Sequence, residues 1–351
     1  MSRHSNLVVA STLLIAMCGA TGATGATARE PSPGNPEQAE AAVVQVLGDV
    51  GSGTGFLYDA DKGLIVTTAY ITAAQSDLKA LVAGKPEASA RLLGSDLCQD
   101  LAVLKLTNPQ AGLRDLQFGD SDKVFDGDAV TSLGYRGAGT PKADVVALAG
   151  KAEEEPGGRI VFQSTPDYPS LIYHSTEGVE AGGPVLNSGG EVIGINTGLS
   201  IKQDKVSAAI SSDQVTAEIP ALAAGAMKND PGWWIRAVSD PNLAGDAAVS
   251  GLDKGASQAA QKRLQDAGIE GLFVFDVRKG SPAEKAGVQQ GAVITKVNGE
   301  GVSSFPELCD VLEPAAVGDT LKLEGLHAGV GAAGHTFGEA WSANVVLADS
   351  P

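Results

Sequence analysis

The chain has 351 residues, enough for two folded domains with tails, and its hydrophobic content of 43% is ample for well-filled cores. Its 45 glycines and its aromatic content of only 5% favour a β-rich chain with many turns over a helical bundle. The formal net charge of −17 argues against nucleic acid as a partner, because phosphate binding needs a basic surface, and indicates a solvated acidic surface instead.

The first 28 residues have the layout of a signal peptide. Arg3 precedes a short apolar run from Leu7 to Met17, and small residues follow as far as Ala28. The run is too short for an ordinary transmembrane helix. We therefore expect residues 1–28 to be a signal peptide and the protein to be periplasmic or secreted. The residues that end at Cys18 also resemble a lipoprotein box, which leaves a lipid anchor at Cys18 as an alternative.

The next segment, residues 29–41, is rich in Pro, Glu and Gly and is predicted to be a tether. Residues 42–223, called the barrel unit below, begin with short apolar runs separated by turns, a pattern typical of β-barrels. A hairpin is predicted around the turn Asn187–Gly190. The barrel unit ends in a predicted helix over Ser212–Ala223, with Ser211 or Ser212 as its N-cap.

Residues 224–232 are predicted to be a linker. Residues 233–348 form a second predicted unit, which mixes strand and helix patterns. The predicted strands are Gly271–Val277, Ala292–Val297, Leu321–Leu326 and Trp341–Leu347, and the predicted helices are Ser257–Ala267, Ser281–Ala286 and Phe305–Leu312.

Two cysteines remain if the signal peptide is removed at or after Cys18. Cys98 and Cys309 lie far apart in sequence and in different predicted units. We expect two free, partly buried thiols, although an oxidising compartment also permits a disulfide between them.

Several short motifs lie along the two predicted units. In the barrel unit they are Gly51–Phe56, Leu64–Thr67, Leu93–Lys105, Gly119–Gly134 and Gly182–Asn196. Their residues and their order resemble those of the HtrA family of trypsin-like serine proteases. In residues 233–348, called the PDZ unit from here on, Ser281–Gly287 and Gly291–Gly299 resemble the core of a PDZ domain. Single motifs of this kind are weak, but this many in one order are specific. The resemblance implies a mostly β chain, with a chymotrypsin-like double β-barrel followed by an α+β PDZ domain.

The resemblance also implies which positions should carry the catalytic triad. The segment Gly178–Pro184 reads GVEAGGP, and Ala181 stands where the family has its nucleophilic serine. Tyr70 stands where the family has its catalytic histidine, and a phenol with a pKa near 10 is a poor base at neutral pH. Asp100 retains the triad acid, which we expect to accept hydrogen bonds from the Tyr70 hydroxyl or from nearby backbone N–H groups.

The oxyanion-hole positions also depart from the family pattern. Val179 stands where a glycine is usual, and the carboxylate of Glu180 opposes a developing negative charge. His174 is near in sequence, but without a nucleophile it has nothing to activate. No intact catalytic residue, no metal site and no cofactor is therefore predicted.

The PDZ unit retains the features that peptide binding needs. Such domains add the C-terminal end of a peptide as a strand, between one strand and one helix, and capture its carboxylate with backbone amides. By resemblance, the carboxylate loop lies near residues 232–235, Gly-Trp-Trp-Ile. The residues expected to form the peptide site are Trp233, Trp234, Ile235, Phe305, Leu308 and Leu312. Trp234 replaces a glycine of the family pattern, so it either obstructs the groove or shapes a new apolar pocket.

The expected function is therefore that of an extracytoplasmic HtrA-like pseudoprotease without proteolytic activity. It would bind C-terminal peptides or unfolded protein segments, or regulate active relatives in a homo- or hetero-oligomer. The alternative is an active serine endopeptidase of the envelope with displaced catalytic groups. A purely architectural role remains open if Trp234 blocks the groove.

Overall fold

The structure, a computed structural model, describes residues 36–49, 51–82, 84–135, 141–151, 171–174, 181–201, 206–228, 230–331 and 333–348. The predicted signal peptide, Cys18 and the oxyanion-hole positions Val179 and Glu180 lie outside these residues. The described residues belong to one compact unit. Within them, no helix is both long enough and apolar enough to span a membrane.

Six antiparallel strands at the start of the barrel unit close into a first barrel. In chain order, the elements are α1 (Pro36–Glu40), β1 (Val43–Leu47), β2 (Ser52–Asp59), β3 (Leu64–Thr67), α2 (Ala69–Thr72), β4 (Leu78–Val82), β5 (Ala88–Asp96) and β6 (Leu101–Leu106). Strand β5 pairs with both β4 and β6, which closes the sheet on itself. The strands bury Val, Leu, Ile and Phe side chains in the barrel interior, as their apolar runs predict.

A second closed barrel of six strands follows. Its strands are β7 (Ala129–Gly134), β8 (Lys142–Lys151), β9 (Leu171–His174), β10 (Pro184–Leu186), β11 (Val192–Ile201) and β12 (Val206–Ser211). The predicted hairpin around Asn187–Gly190 joins β10 to β11. Helix α3 (Ser212–Ala223) then forms as predicted, with the side chain of Ser211 accepting from the backbone N–H of Gln214.

The PDZ unit is a sheet with the strand order β14-β15-β16-β18-β19, flanked by helices. The remaining elements are β13 (Met227–Lys228), β14 (Trp233–Ala237), α4 (Leu243–Val249), α5 (Lys254–Asp266), β15 (Leu272–Val277), α6 (Pro282–Lys285), β16 (Ala292–Val297), β17 (Glu300–Gly301), α7 (Phe305–Leu312), β18 (Thr320–His327) and β19 (Ala340–Val346). Two barrels followed by this mixed unit confirm the predicted fold class.

Three segments differ from the sequence prediction. Helix α1 forms inside the predicted tether, because Ala39 is buried in the core that the two barrels share. Strand β13 forms inside the predicted linker, where it pairs in parallel with β5 and buries Met227. Helix α4 was not predicted, since its Gly- and Asp-containing sequence reads as a turn, yet it buries Leu243, Ala244 and Ala247.

The expectation of two free thiols is wrong. Cys98, in the turn between β5 and β6, and Cys309, in α7, form a disulfide with their Cα atoms 5.7 Å apart. The bridge spans 211 residues of sequence. The sequence alone does not reveal it, because only tertiary packing brings the β5–β6 turn against α7.

Candidate functional site

Tyr70, the residue predicted to stand at the position of the triad base, has its backbone held by Asp100. Strand β3 leads directly into α2, so the chain turns away from the barrel at Tyr70. The backbone N–H of Tyr70 donates to Oδ1 of Asp100 over 2.7 Å. Asp100 is 4% exposed and has φ of +50°, a left-handed conformation that Asp tolerates better than most residues. Of the two predicted arrangements, the structure shows the one in which Asp100 accepts from a backbone N–H, that of Tyr70.

The Tyr70 hydroxyl is engaged by two charged residues of the PDZ unit. It donates to Oδ2 of Asp246, in α4, over 2.8 Å and accepts from Nη2 of Arg236, in β14, over 2.8 Å. Arg236 also pairs with Asp246 and, over 2.8 Å, with Asp240. Burial raises the pKa of the Tyr70 phenol well above its ordinary value of 10.0, so the group stays protonated at neutral pH. It can position charges but cannot act as a general base.

The Tyr70 ring also contacts an aromatic residue of the PDZ unit. It meets the Trp234 ring edge to face, with centroids 5.6 Å apart and an interplanar angle of 83°. The Trp234 ring in turn packs against Phe275 of β15, with centroids 5.1 Å apart. Tyr70 is therefore part of a contact between the barrel unit and the PDZ unit.

In the segment predicted to be the nucleophile loop, Ala181 and Gly182 form backbone hydrogen bonds, and Gly182 lies where a side chain has no room. The backbone carbonyl of Ala181 accepts from Thr54 N over 3.0 Å, and Gly182 N donates to the carbonyl of Asn196 over 2.7 Å. Gly182 has φ of +84°, and a Cβ there would lie 1.9 Å from the carbonyl oxygen of Thr54. Only glycine fits this position. Ala181 itself offers a methyl group, which cannot attack a carbonyl carbon.

Two of the three positions predicted to correspond to the triad are in direct contact, since the backbone N–H of Tyr70 donates to Asp100. A Cβ at Gly182, next to the third position Ala181, would lie 2.5 Å from Oγ1 of Thr67, the residue that ends β3. The side chains at the predicted base and nucleophile positions are a half-buried phenol and a methyl group.

Other polar residues of the barrel unit include His174 and a group of three aspartates. His174 lies at the end of β9, and its side chain is outside the described part of the structure. Among the described residues, Asp120, Asp122 and Asp213 bring carboxylate oxygens within 4.8 Å of one another. They are half-buried or exposed, and such clusters are common on an acidic surface without an ion.

The residues expected to bind peptide are brought together but are buried. Trp233, Trp234 and Ile235 lie in β14, the edge strand of the sheet, and the other three lie in α7. None of the six is more than 8% exposed. They share one apolar cluster with five residues of the barrel unit: Ala69, Ala73, Ala74, Leu97 and Cys98.

Several polar residues that tie the two units together were missed by sequence reasoning. Arg236 and Asp246 hold the Tyr70 hydroxyl, as described above. Arg278 donates from Nη1 to the carbonyl of Ala73 over 3.3 Å and to Oδ2 of Asp230 over 3.2 Å. The one available signal was Arg236 itself, a charge within the apolar strand WWIRA, because a buried charge requires a partner.

Comparison with known proteins agrees with this architecture. A model of the trypsin-like peptidase domain matches residues 53–195, and a model of the PDZ domain matches residues 273–324. The chain is 29% identical over 279 residues to the periplasmic pH-dependent serine endoprotease DegQ of Escherichia coli, covering 78% of this chain and 56% of that protein. It is 28% identical over 289 residues to the chloroplastic Protease Do-like 1 of Arabidopsis thaliana, covering 78% of this chain and 60% of that protein.

The chain thus spans less than two thirds of the length of these two relatives. Among solved structures, the HtrA-type protease AlgW with decapeptide aligns with 90% of this chain and 97% of its own, at 17% identity and a TM-score of 0.48. A trypsin-like peptidase domain and a PDZ domain in this order, together with relatives of the Do and HtrA type, place the chain in the HtrA family of trypsin-like serine proteases.

Proposed function

We propose that this chain is a proteolytically inactive member of its family that acts outside the cytoplasm as a binding protein. Its ligands are C-terminal peptides or unfolded protein segments, bound by the PDZ unit. A regulatory association with active relatives is part of the same proposal. The extracytoplasmic location is supported by the signal-peptide pattern of residues 1–28 and by the periplasmic relative DegQ.

One observation carries the inactivity: the triad-base position holds a phenol that is committed to other bonds. Acyl transfer needs a group that accepts the proton of the nucleophile and returns it to the leaving amine. Tyr70 is protonated, half-buried and bonded to Arg236 and Asp246. Ala181 supplies no atom that could form an acyl-enzyme. Substrate binding alone is therefore the activity that this frame supports.

The first test is covalent labelling of the intact chain with a fluorophosphonate probe, which reacts with activated serines. We expect no labelling and no cleavage of unfolded casein. Labelling at any serine, abolished by replacing that serine with Ala, would support instead an active endopeptidase with displaced catalytic groups.

The second test asks whether the protease frame can be restored. The variant combines Tyr70→His, Ala181→Ser, Val179→Gly and Glu180→Asn, and its matched control carries all of these changes except Ala181→Ser. We expect probe labelling and measurable casein cleavage in the full variant and neither in the control. A folded full variant with no labelling would show that the frame is no longer that of a protease.

The peptide-binding part is tested by selecting a library of C-terminal peptides on the intact chain. An enriched C-terminal sequence supports the proposal. No enrichment, with the disulfide intact and after its removal, would favour a purely architectural role.

A further inference from the structure

The contact between the barrel unit and the PDZ unit is covalent as well as non-covalent. The disulfide joins Cys98 of the β5–β6 turn to Cys309 of α7. Around it lie the Tyr70 hydroxyl contacts and the bond from Arg278 to the carbonyl of Ala73. Lys279 N also donates to Oγ of Ser76 over 3.1 Å. The polar contacts connect α2, or the residues that follow it in sequence, with the PDZ unit.

The disulfide attaches to the face of α7 that was expected to line the peptide site. In a helix, side chains three and four positions apart lie on one face. Cys309 is four residues after Phe305 and three before Leu312, so the three share a face. All three are at most 6% exposed, as is Cys98. The β5–β6 turn is therefore bonded to the wall against which a peptide side chain would pack.

The opposite wall, strand β14, is also in contact with the chain's own residues. The Trp234 ring packs against Tyr70 of the barrel unit. At the start of the strand, Gly232 N donates to Oδ1 of Asp230 over 2.8 Å. A side-chain carboxylate is thus bound by a backbone amide of the loop expected to capture the carboxylate of a peptide.

We propose that the disulfide between Cys98 and Cys309 is a redox-controlled latch that keeps the peptide site of the PDZ unit closed against the barrel unit. The nature of the ligand rests on the proposed function, whereas the latch itself does not. A dithiol reductant opens it: the S–S bond breaks, each sulfur gains one electron and one proton, and the dithiol becomes a disulfide.

The physical basis is that most apolar side chains of the barrel unit in the described contact are small. The buried ones are Ala69, Ala73, Ala74, Leu97 and Cys98, and the half-buried Tyr70 packs beside them. Small side chains bury little apolar area and so contribute little to association. The disulfide raises the effective concentration of the two units relative to each other, and its loss lets a peptide compete with the barrel unit for β14 and α7.

The test compares amide hydrogen exchange in the intact oxidised chain and in the double variant Cys98→Ala/Cys309→Ala. We expect amides of β14 and α7 to exchange at least about tenfold faster in the variant, because opening exposes them. Wild type reduced with dithiothreitol provides the same comparison if the variant folds poorly. Ser76→Ala, which removes one polar bond of the same contact and keeps the disulfide, is the matched control and should exchange like wild type.

Unchanged exchange in both the double variant and the reduced wild type would overturn the latch. Peptide selection on the oxidised and disulfide-free forms separates the two proposals. Enrichment only without the disulfide supports both, and equal enrichment in both forms overturns the latch alone. Faster exchange without any enrichment would support the latch and remove peptide binding from the proposed function.

Discussion

Tyr70 has a structural role at the position where the family resemblance predicts a catalytic base. A histidine in that role would pair with the triad acid and exchange protons with a nucleophile. In this chain, Asp100 bonds the backbone of Tyr70, and the phenol reaches Arg236 and Asp246 of the PDZ unit. Each of these two charged groups forms a hydrogen bond with the hydroxyl.

Replacing Tyr70 by Phe should therefore destabilise the protein. The change removes the hydroxyl oxygen and so one hydrogen-bond partner each of Arg236 and Asp246, in a partly buried setting. Loss of hydrogen bonds to charged groups costs about 1–3 kcal/mol of unfolding free energy. Urea unfolding of the variant and the wild type measures the difference. Tyr58→Phe is the control, since the buried Tyr58 hydroxyl has no hydrogen-bond partner among the described residues. Equal effects of the two changes would contradict this role of the Tyr70 hydroxyl.

The second prediction at the scale of single residues concerns Arg278. Its ion pair with Asp230 is buried, with side-chain exposures of 4% and 0%. Replacing Arg278 by Met leaves the Asp230 carboxylate without its cation, and removal of one partner from a buried pair costs about 3–5 kcal/mol. Lys296→Met is the matched control, because Lys296 pairs with Glu324 at 3.8 Å on the surface and should change the unfolding midpoint little. A small effect of Arg278→Met would show that Asp230 is satisfied by its other contacts.

At the scale of elements, helix α7 was predictable and helix α4 was not. The sequence of α7 places Phe305, Leu308 and Leu312 at helical spacing after a Ser304–Glu307 capping box. Helix α4 contains Gly245 and Asp246 and has no side-chain cap at Asn242, so local signals favour a turn. It forms because its apolar residues pack into the PDZ core, a tertiary effect that local patterns do not carry.

The capping box gives α7 a pH dependence. Hydrogen bonds from Ser303 N and neighbouring groups lower the pKa of the Glu307 carboxyl below its ordinary value of 4.5. A carboxyl with a lowered pKa in the folded state stabilises the fold above that ordinary value, and the contribution is lost as the pH falls through the folded-state pKa. The advantage of wild type over Glu307→Gln should therefore be present at neutral pH and vanish in strong acid.

Urea midpoints measured as a function of pH for both proteins check this expectation. Glu300→Gln, which removes an exposed carboxyl from β17, provides the control and should follow the wild-type profile more closely. A wild-type advantage that persists unchanged in strong acid would show that the carboxylate is not its source.

At the scale of the whole molecule, the order of units was predictable and their contact was not. The motifs from Gly51 to Gly299 predict two barrels followed by a PDZ unit, because each motif reports local packing within one unit. The disulfide, the Tyr70 contacts and the bond from Arg278 to Ala73 join residues distant in sequence. No periodicity or spacing specifies such pairs, so the burial of the expected peptide site could not be anticipated.

The disulfide should make the two units unfold together. Calorimetry of the oxidised chain is expected to show one transition, whereas Cys98→Ala/Cys309→Ala should show two, or one that is broader. In the chain-entropy description, closing a loop of this length stabilises the fold by roughly 5 kcal/mol. The variant should therefore begin to unfold at a lower temperature. A single sharp transition at the wild-type temperature would show that non-covalent contacts alone couple the units.

Asp100 also bears on how activity is inferred from sequence. Its left-handed backbone and its bond to the Tyr70 N–H belong to the turn itself, independent of any reaction. Selection for folding alone would preserve an Asp or Asn here with or without a working nucleophile and base. An acid at this position is thus weak evidence of activity, and inference of activity in related chains should give weight to positions that no backbone constraint maintains.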